Sequence, residues 1–245
     1  MSEYTESFYQ SLETTAEPSA RVILPLLLRH IPVGSAVDIG CGDGGWLATL
    51  RSLGTTDILG IDGPWRSEAS LKIPVANFRR APLDQPLRLD RRFDLAISLE
   101  VAEHLPPDRA DEFVAELTSL APAILFSAAI PGQGGVNHFN EQWPAYWAQR
   151  FEAHSYLPID LFRSAIWGNS AVAWWYKQNI VLYVERNALS RYPDLAEQAT
   201  SSERLPALIH PEPWLRLHRL SEPRIGRWLR MAPAVLRRSL KKKRR

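Results

Sequence analysis

The sequence predicts an α/β domain built on a mostly parallel sheet, and three observations carry that expectation. Short apolar runs alternate along the chain with segments of helical periodicity, the pattern of βαβ units. The run FDLAISLE, residues 93–100, barely alternates polar with apolar, as expected of a strand buried on both faces. The first run, SAVDIG at 35–40, feeds directly into a glycine-rich turn and a helix. The bulk composition agrees: 245 residues, 45% hydrophobic and 23% charged, suit one large α/β domain or a domain with an appendage.

Taken in order, SARVILPLLLRHI (19–31) reads as an amphipathic helix interrupted by Pro25, within an N-terminal helical region of about 5–31. After the first strand, Gly44, Gly45 and WLATLRSLG make a helix in which Trp46 packs, with Gly54 as its stop. TDILGID (56–62) is a second strand, residues 75–80 a weaker third and 93–100 the fourth. ADEFVAELTSL (110–120) is a helix and APAILFSAA (121–129) the fifth strand. A glycine-rich loop, IPGQGGVNHFN, leads to a helix over 140–154, capped by Asn140 with Glu141 in its first turn. Strands near 157–166 and 179–185 pair antiparallel, joined by a connection containing Trp167, Trp174, Trp175 and Tyr176. Most of these aromatics, with Trp143 and Trp147, are expected in the core, leaving one or two for a flat acceptor to stack on.

Prolines at 193, 206, 211, 213, 223 and 233 break the pattern, so a domain of 1–190 is followed by a basic extension of 191–245. Residues 201–245 carry 13 Lys/Arg against 3 Asp/Glu, a balance of +10, leaving −8 for residues 1–200 out of a total of +2. Trp228, Leu229, Val235 and Leu236 among arginines suit an anionic membrane surface or glycan-lipid. Nucleic acid is the less favoured partner, since the region has no DNA or RNA recognition motif. The single cysteine, Cys41, excludes an intramolecular disulfide framework and a cysteine-based zinc site. With a polar N-terminal decapeptide and apolar clusters far shorter than the ~20 residues of a membrane span, this points to a cytoplasmic protein, peripheral at the membrane if the tail binds there.

The turn VDIGCGDGG (37–45) holds Gly40, Gly42 and Gly44, which allow a tight turn and close approach of a ligand to backbone. Its spacing also satisfies G-x-G-x-x-G, so a nicotinamide dinucleotide is a candidate. Asp62, ending the second strand, is placed for ribose hydroxyls in either case. Asp38 favours a cationic ligand and would repel a pyrophosphate at the helix N-terminus.

These segments resemble the motifs of class I S-adenosylmethionine-dependent methyltransferases: VDIGCGDGG the first motif, Asp62 the second-strand acid, FDLAISLEVAEHL the fourth strand and its turn. The resemblance covers about residues 20–186. It implies a Rossmann-like seven-stranded sheet with helices on both faces, six strands parallel and one antiparallel. It also implies a cofactor half at 35–100 and an acceptor half at 101–186. Asp38, Gly40, Gly42, Gly44 and Asp62 would hold S-adenosylmethionine. The family's adenine-binding acid after the third strand is replaced here by Pro82, so Asp84 or the Leu83 N–H would substitute. More narrowly, VDIGCGDGGWL, GIDGPW, SLEVAEHL and WWYKQN resemble bacterial methyltransferases of uncharacterised acceptor, often from glycan or natural-product pathways.

Glu100, Glu103 and His104 have i, i+3, i+4 spacing, which one helical turn would gather on one side, and His138 follows the neighbouring fifth strand. E-x-x-E-H with a later histidine resembles the metal set of small-RNA 3′-terminal 2′-O-methyltransferases and of ubiquinone-pathway O-methyltransferases. The expected activity is therefore O-methylation of a sugar or polyol, with Glu100, Glu103, His104 and His138 around Mg²⁺, Mn²⁺, Fe²⁺ or Zn²⁺. Otherwise His138 or His104 acts directly as base. An RNA 2′-O-methyltransferase, a nicotinamide-dependent oxidoreductase and a non-catalytic scaffold are the alternatives.

Overall fold

The computed structural model describes residues 6–215, with side chains from residue 15 onward. The chain divides into two compact units, residues 1–208 and 209–245. The tail at 216–245, on which the membrane expectation rests, lies outside the described residues. Among the described residues no helix is long and apolar enough to cross a membrane.

In the first unit, α1 (Glu6–Leu28) precedes β1 (Ser35–Ile39), α2 (Gly45–Ser52), β2 (Asp57–Asp62), β3 (Phe78–Arg80) and β4 (Leu95–Leu99). Then come α3 (Ala110–Leu120), β5 (Ala123–Ser127), α4 (Pro144–Ala153), β6 (Tyr156–Ile159), α5 (Arg163–Ile166), α6 (Trp174–Asn179), β7 (Val181–Glu185) and α7 (Pro193–Ala196). One seven-stranded sheet runs β3-β2-β1-β4-β5-β7-β6, and only β7 runs antiparallel to its neighbours. This is the Rossmann-like architecture the sequence implied. Both faces are covered. Leu95, Ile97 and Leu99 of β4 pack with Ile23 and Leu27 of α1 and Leu47 of α2. Ala96 faces Phe113 and Leu117 of α3 and Phe151 of α4.

Several local expectations are corrected. Pro25 does not interrupt α1, which runs through both Pro18 and Pro25. The burial of Ile23, Leu24 and Leu27 outweighs the lost N–H bonds. The strand expected at 157–166 stops at Ile159, because Arg163 turns inward as part of α5. Its guanidinium is fully buried, pairs with Asp160 at 2.7 Å and donates to the carbonyls of Gln178 and Pro206. Helix α4 begins at Pro144 rather than Asn140, with proline at the position where a missing N–H costs nothing. Residues beyond 190 add to this unit. Ala199 bridges Ile159, and Ser202 N–H and Oγ donate to Glu152 at 2.7 and 2.6 Å.

Candidate active site

A cavity of about 320 Å³ runs across the C-terminal ends of β2, β1 and β4. Its wall includes Asp38, Gly40, Gly42, Asp62, Leu83 and Asp84 at one end, and Glu100, His104 and Leu105 at the other.

The glycine turn is built by backbone constraints. Gly40, Gly42 and Gly44 have φ of 83°, 59° and 81°. At Gly40 there is also no room: a Cβ would stand 2.3 Å from Val101 Cγ2. Gly40 and Cys41 donate to the Ile61 carbonyl, tying the turn to β2. Gly44 is not on the cavity wall; it caps α2 against Ile73. Asp62 completes the turn by accepting Gly42 N–H on Oδ2 (2.7 Å) and Gly63 N–H on Oδ1 (2.6 Å). Burial still pushes Asp62 above the usual carboxylate range.

Asp38 differs. It is 3% exposed, and its carboxylate has no hydrogen-bond or ion-pair partner among the described residues. Burial, then the charges of Asp62 and Asp43, push it well above the usual range. An acid in that state beside a ligand cavity fits a cationic group such as the ammonium of S-adenosylmethionine. The turn and Asp62 leave backbone and carboxylate facing the same space. Pro82 is exposed, while Leu83 and Asp84 line the wall. The residues present therefore fit this cofactor.

At the other end the single helical turn does not form. Glu100 sits in the left-handed region (φ 55°), and only Ala102–His104 make a short 3₁₀ turn. Glu100 is thereby separated from the other three. One ligand atom each of Glu103, His104 and His138 lies within 4.8 Å of the others, a group that excludes Glu100. Glu103 is 1% exposed, and neither carboxylate oxygen has a side-chain partner; only the N–H groups of Glu103 itself and Ala129 approach it. Burial, then the charge of Glu100, push it well above the usual range. An orphaned buried acid beside two imidazoles fits a metal donor set.

The two imidazoles meet edge to face, centroids 4.8 Å apart. His104 Nδ1 lies 3.3 Å from the Asn137 carbonyl, so Nδ1 carries the proton and Nε2 is the accepting nitrogen. Burial, followed by His138, lowers His104 to about 4. His138 is not on the cavity wall; it stands behind His104, with Nδ1 2.9 Å from Glu141 Oε1. Glu141 also accepts the N–H groups of Gly132 (2.8 Å) and Gly134 (2.9 Å), so it organises this loop rather than the start of α4.

Sequence reasoning missed several residues here. Trp65, 60% exposed, lines the cavity and lies over Gly63. Arg66 and Tyr176 are also on the wall. Gln133 and Asn179 donate to Glu100, and Gln178 donates to both of them. The quoted motifs GIDGPW and WWYKQN contain most of these residues, but nothing in their spacing assigns them to a cavity.

A doubly wound sheet with a glycine turn, a strand-end acid and a cavity at the carboxyl ends defines a nucleotide-cofactor enzyme. Residues 12–168 match the family model described as a methyltransferase domain, and the chain belongs to that family. It is an S-adenosylmethionine-dependent methyltransferase. No curated protein matches the chain. Among solved structures it resembles S-adenosylmethionine-bound CalS10, an amino pentose methyltransferase from Micromonospora echinaspora. The TM-score is 0.54 at 11% identity, over 76% of this chain and 99% of that one. It also resembles magnesium protoporphyrin IX methyltransferase from Synechocystis PCC 6803 with bound S-adenosylhomocysteine. Here the TM-score is 0.52 at 17% identity, over 76% and 90% of the two chains. The match to DesVI of Streptomyces venezuelae, TM-score 0.42 at 21% identity, covers 53% of this chain and spans only 58% of DesVI.

Proposed function

We propose that the enzyme methylates a hydroxyl of a sugar or comparable polyol in glycan or natural-product assembly, with a divalent ion at Glu103, His104 and His138. The observation that supports this reading is the gathering of two imidazoles and the buried Glu103 carboxylate beside the β4–β5 end of the cavity, with His104 and the half-buried Glu100 on its wall. An alcohol needs such groups, because it is a poor nucleophile until its proton leaves.

S-adenosylmethionine, when bound, supplies an electrophilic methyl group for in-line displacement. Asp38 would hold its ammonium and Asp62 its ribose, with Leu83 and Asp84 the wall residues available to its adenine. The acceptor enters past Trp65, whose exposed indole offers a sugar ring an apolar face. His104 is unprotonated at neutral pH with its pKa near 4, and with Nδ1 donating to the Asn137 carbonyl its Nε2 would be the nitrogen offered to the ion, which would lower the pKa of the acceptor hydroxyl. Glu141 orients His138, which packs edge-on against His104. Two imidazoles and one carboxylate suit Mn²⁺, Fe²⁺ or Zn²⁺ better than Mg²⁺.

Incubation with methyl-labelled S-adenosylmethionine and a panel of sugars, polyols, RNA oligonucleotides and porphyrins tests the reading. Label is expected in a sugar or polyol hydroxyl. Label in RNA or porphyrin alone overturns the acceptor class. Calorimetry with Mn²⁺ should show binding to wild type and none to a His104→Ala/His138→Ala variant.

A further inference from the structure

Glu100 is held by side chains from two distant parts of the chain. Gln133, in the loop after β5, donates through Nε2 to Oε2 at 2.8 Å. Asn179, at the end of α6, donates through Nδ2 to Oε1 at 3.1 Å. Gln133 Oε1 in turn accepts from Asn179 Nδ2 (2.9 Å) and Gln178 Nε2 (3.1 Å), and Gln178 Nε2 also donates to Asn179 Oδ1 (3.1 Å). The Glu100 backbone is locked as well, its N–H donating to Ser127 O at 2.9 Å. A non-glycine residue with positive φ is held only where its surroundings over-determine it.

This clamp is made of neutral amides, and no Lys or Arg among the described residues forms a salt bridge with Glu100. The contrast with Glu103 is direct: only backbone N–H groups, its own and that of Ala129, approach Glu103, whereas side-chain amides donate to both oxygens of Glu100 and work against the burial that raises it above the usual carboxylate range. Glu100 also lines the cavity. In the strand order, β4 follows β2 and β1, so Glu100 stands two strand spacings, roughly 10 Å, from Asp62. A cofactor with its ribose at Asp62 and its amino-acid end at Asp38 would carry its sulfonium toward β4.

We propose that Gln133, Gln178 and Asn179 are positioning residues that hold the Glu100 carboxylate as a fixed anion facing the sulfonium position. The site then prefers a cofactor charged at that position over the neutral demethylated product. This rests on the cofactor placement proposed above. It makes product release part of the design of the cavity. Once the methyl group has left, the positive charge opposite Glu100 is gone, and S-adenosylhomocysteine loses that attraction.

Calorimetry at neutral pH, with metal omitted, tests this without an acceptor. The probes are S-adenosylhomocysteine and sinefungin, which carries an amine where the sulfonium methyl stands. Wild type should bind sinefungin about tenfold more tightly. Glu100→Gln, nearly isosteric, should reduce the ratio to about one while leaving S-adenosylhomocysteine affinity within about threefold. Asn179→Ser and Gln133→Leu should give intermediate ratios, with thermal melts confirming that each folds. An unchanged ratio in Glu100→Gln, or equal binding of the two probes by wild type, overturns the inference while leaving the cofactor placement standing. Failure of both probes to bind wild type would instead remove the placement on which it rests.

Discussion

The two ends of the cavity satisfy their polar groups by different means. At the β1–β2 end the work is done by backbone: left-handed glycines, N–H groups on Asp62 and a turn bonded to the Ile61 carbonyl. At the β4–β5 end it is done by side chains gathered from residues 100 to 179. A backbone-built end tolerates little change in shape and suits a ligand that never varies. A side-chain-built end can be altered one group at a time, which suits an acceptor that differs between related enzymes. Substitutions at the first end should therefore act on cofactor binding and folding together. Those at the second, apart from Glu100 and the amides that hold it, should act on transfer and leave cofactor binding nearly intact.

The largest effect is expected at Gly40. Gly40→Ala forces a methyl group into Val101 and imposes an unfavourable φ. Left-handed strain and overpacking together should cost about 2–4 kcal/mol, a fall in Tm of about 10 °C, with S-adenosylhomocysteine binding lost. Adding Val101→Ala should recover part of the stability, since it removes the clash and not the strain. If Gly40→Ala melts like wild type and still binds, the first end is not backbone-limited.

Asp38 comes next. Its pKa is raised in the free protein, so its contribution to stability is present at low pH and fades as pH rises through the raised value. Pairing with the ligand ammonium reverses the preference and lowers that pKa, so binding should release a proton under mildly acidic conditions. Calorimetry in buffers of different ionisation enthalpy should show that release in wild type. Asp38→Asn should not show it, and should bind about tenfold more weakly. Proton uptake in wild type would place the ammonium elsewhere.

Glu141 probes the second end. Glutamine in its place keeps one accepting oxygen for three donors: Gly132 N–H, Gly134 N–H and His138 Nδ1. Stability should fall by about 1 kcal/mol and methyl transfer by roughly tenfold, with S-adenosylhomocysteine affinity within about twofold. Equal losses in transfer and cofactor binding would erase the distinction between the two ends.

The same contrast explains what could be read from the sequence. The β1–β2 end is contiguous: SAVDIG, the glycines and TDILGID each combine a strand with the turn at its terminus, so local pattern located Asp38, Gly40, Gly42 and Asp62, all of which line the cavity. The β4–β5 end is not. The spacing of Glu100, Glu103 and His104 suggested a helical turn, but Glu100 takes a left-handed backbone that spacing cannot reveal. Gln133, Gln178 and Asn179 are ordinary polar residues until β7 returns beside β5 and places α6 next to the loop. Glu141 looked like a first-turn helix acid because Asn140 is a good cap. Pro144 starts the helix instead, leaving Glu141 to hold the loop.

The smallest expected effect is at Glu103, and it separates two explanations of why a carboxylate is buried with no side-chain partner. In the metal-free protein burial and Glu100 push Glu103 well above the usual range, so it folds most favourably as the neutral acid. Glu103→Gln would then replace one neutral polar group by another of nearly the same shape, and the Tm should move by no more than a few degrees, about 1 kcal/mol. A purely structural acid predicts nothing further. As a metal ligand, Glu103 must lose its proton to bind, so Mn²⁺ should stabilise wild type against heat and leave Glu103→Gln unmoved. Its heats of binding should also vary with buffer in wild type, because each ion bound displaces a proton. Equal stabilisation of both proteins by Mn²⁺ would remove Glu103 from the donor set and leave the two histidines to act on the acceptor without it.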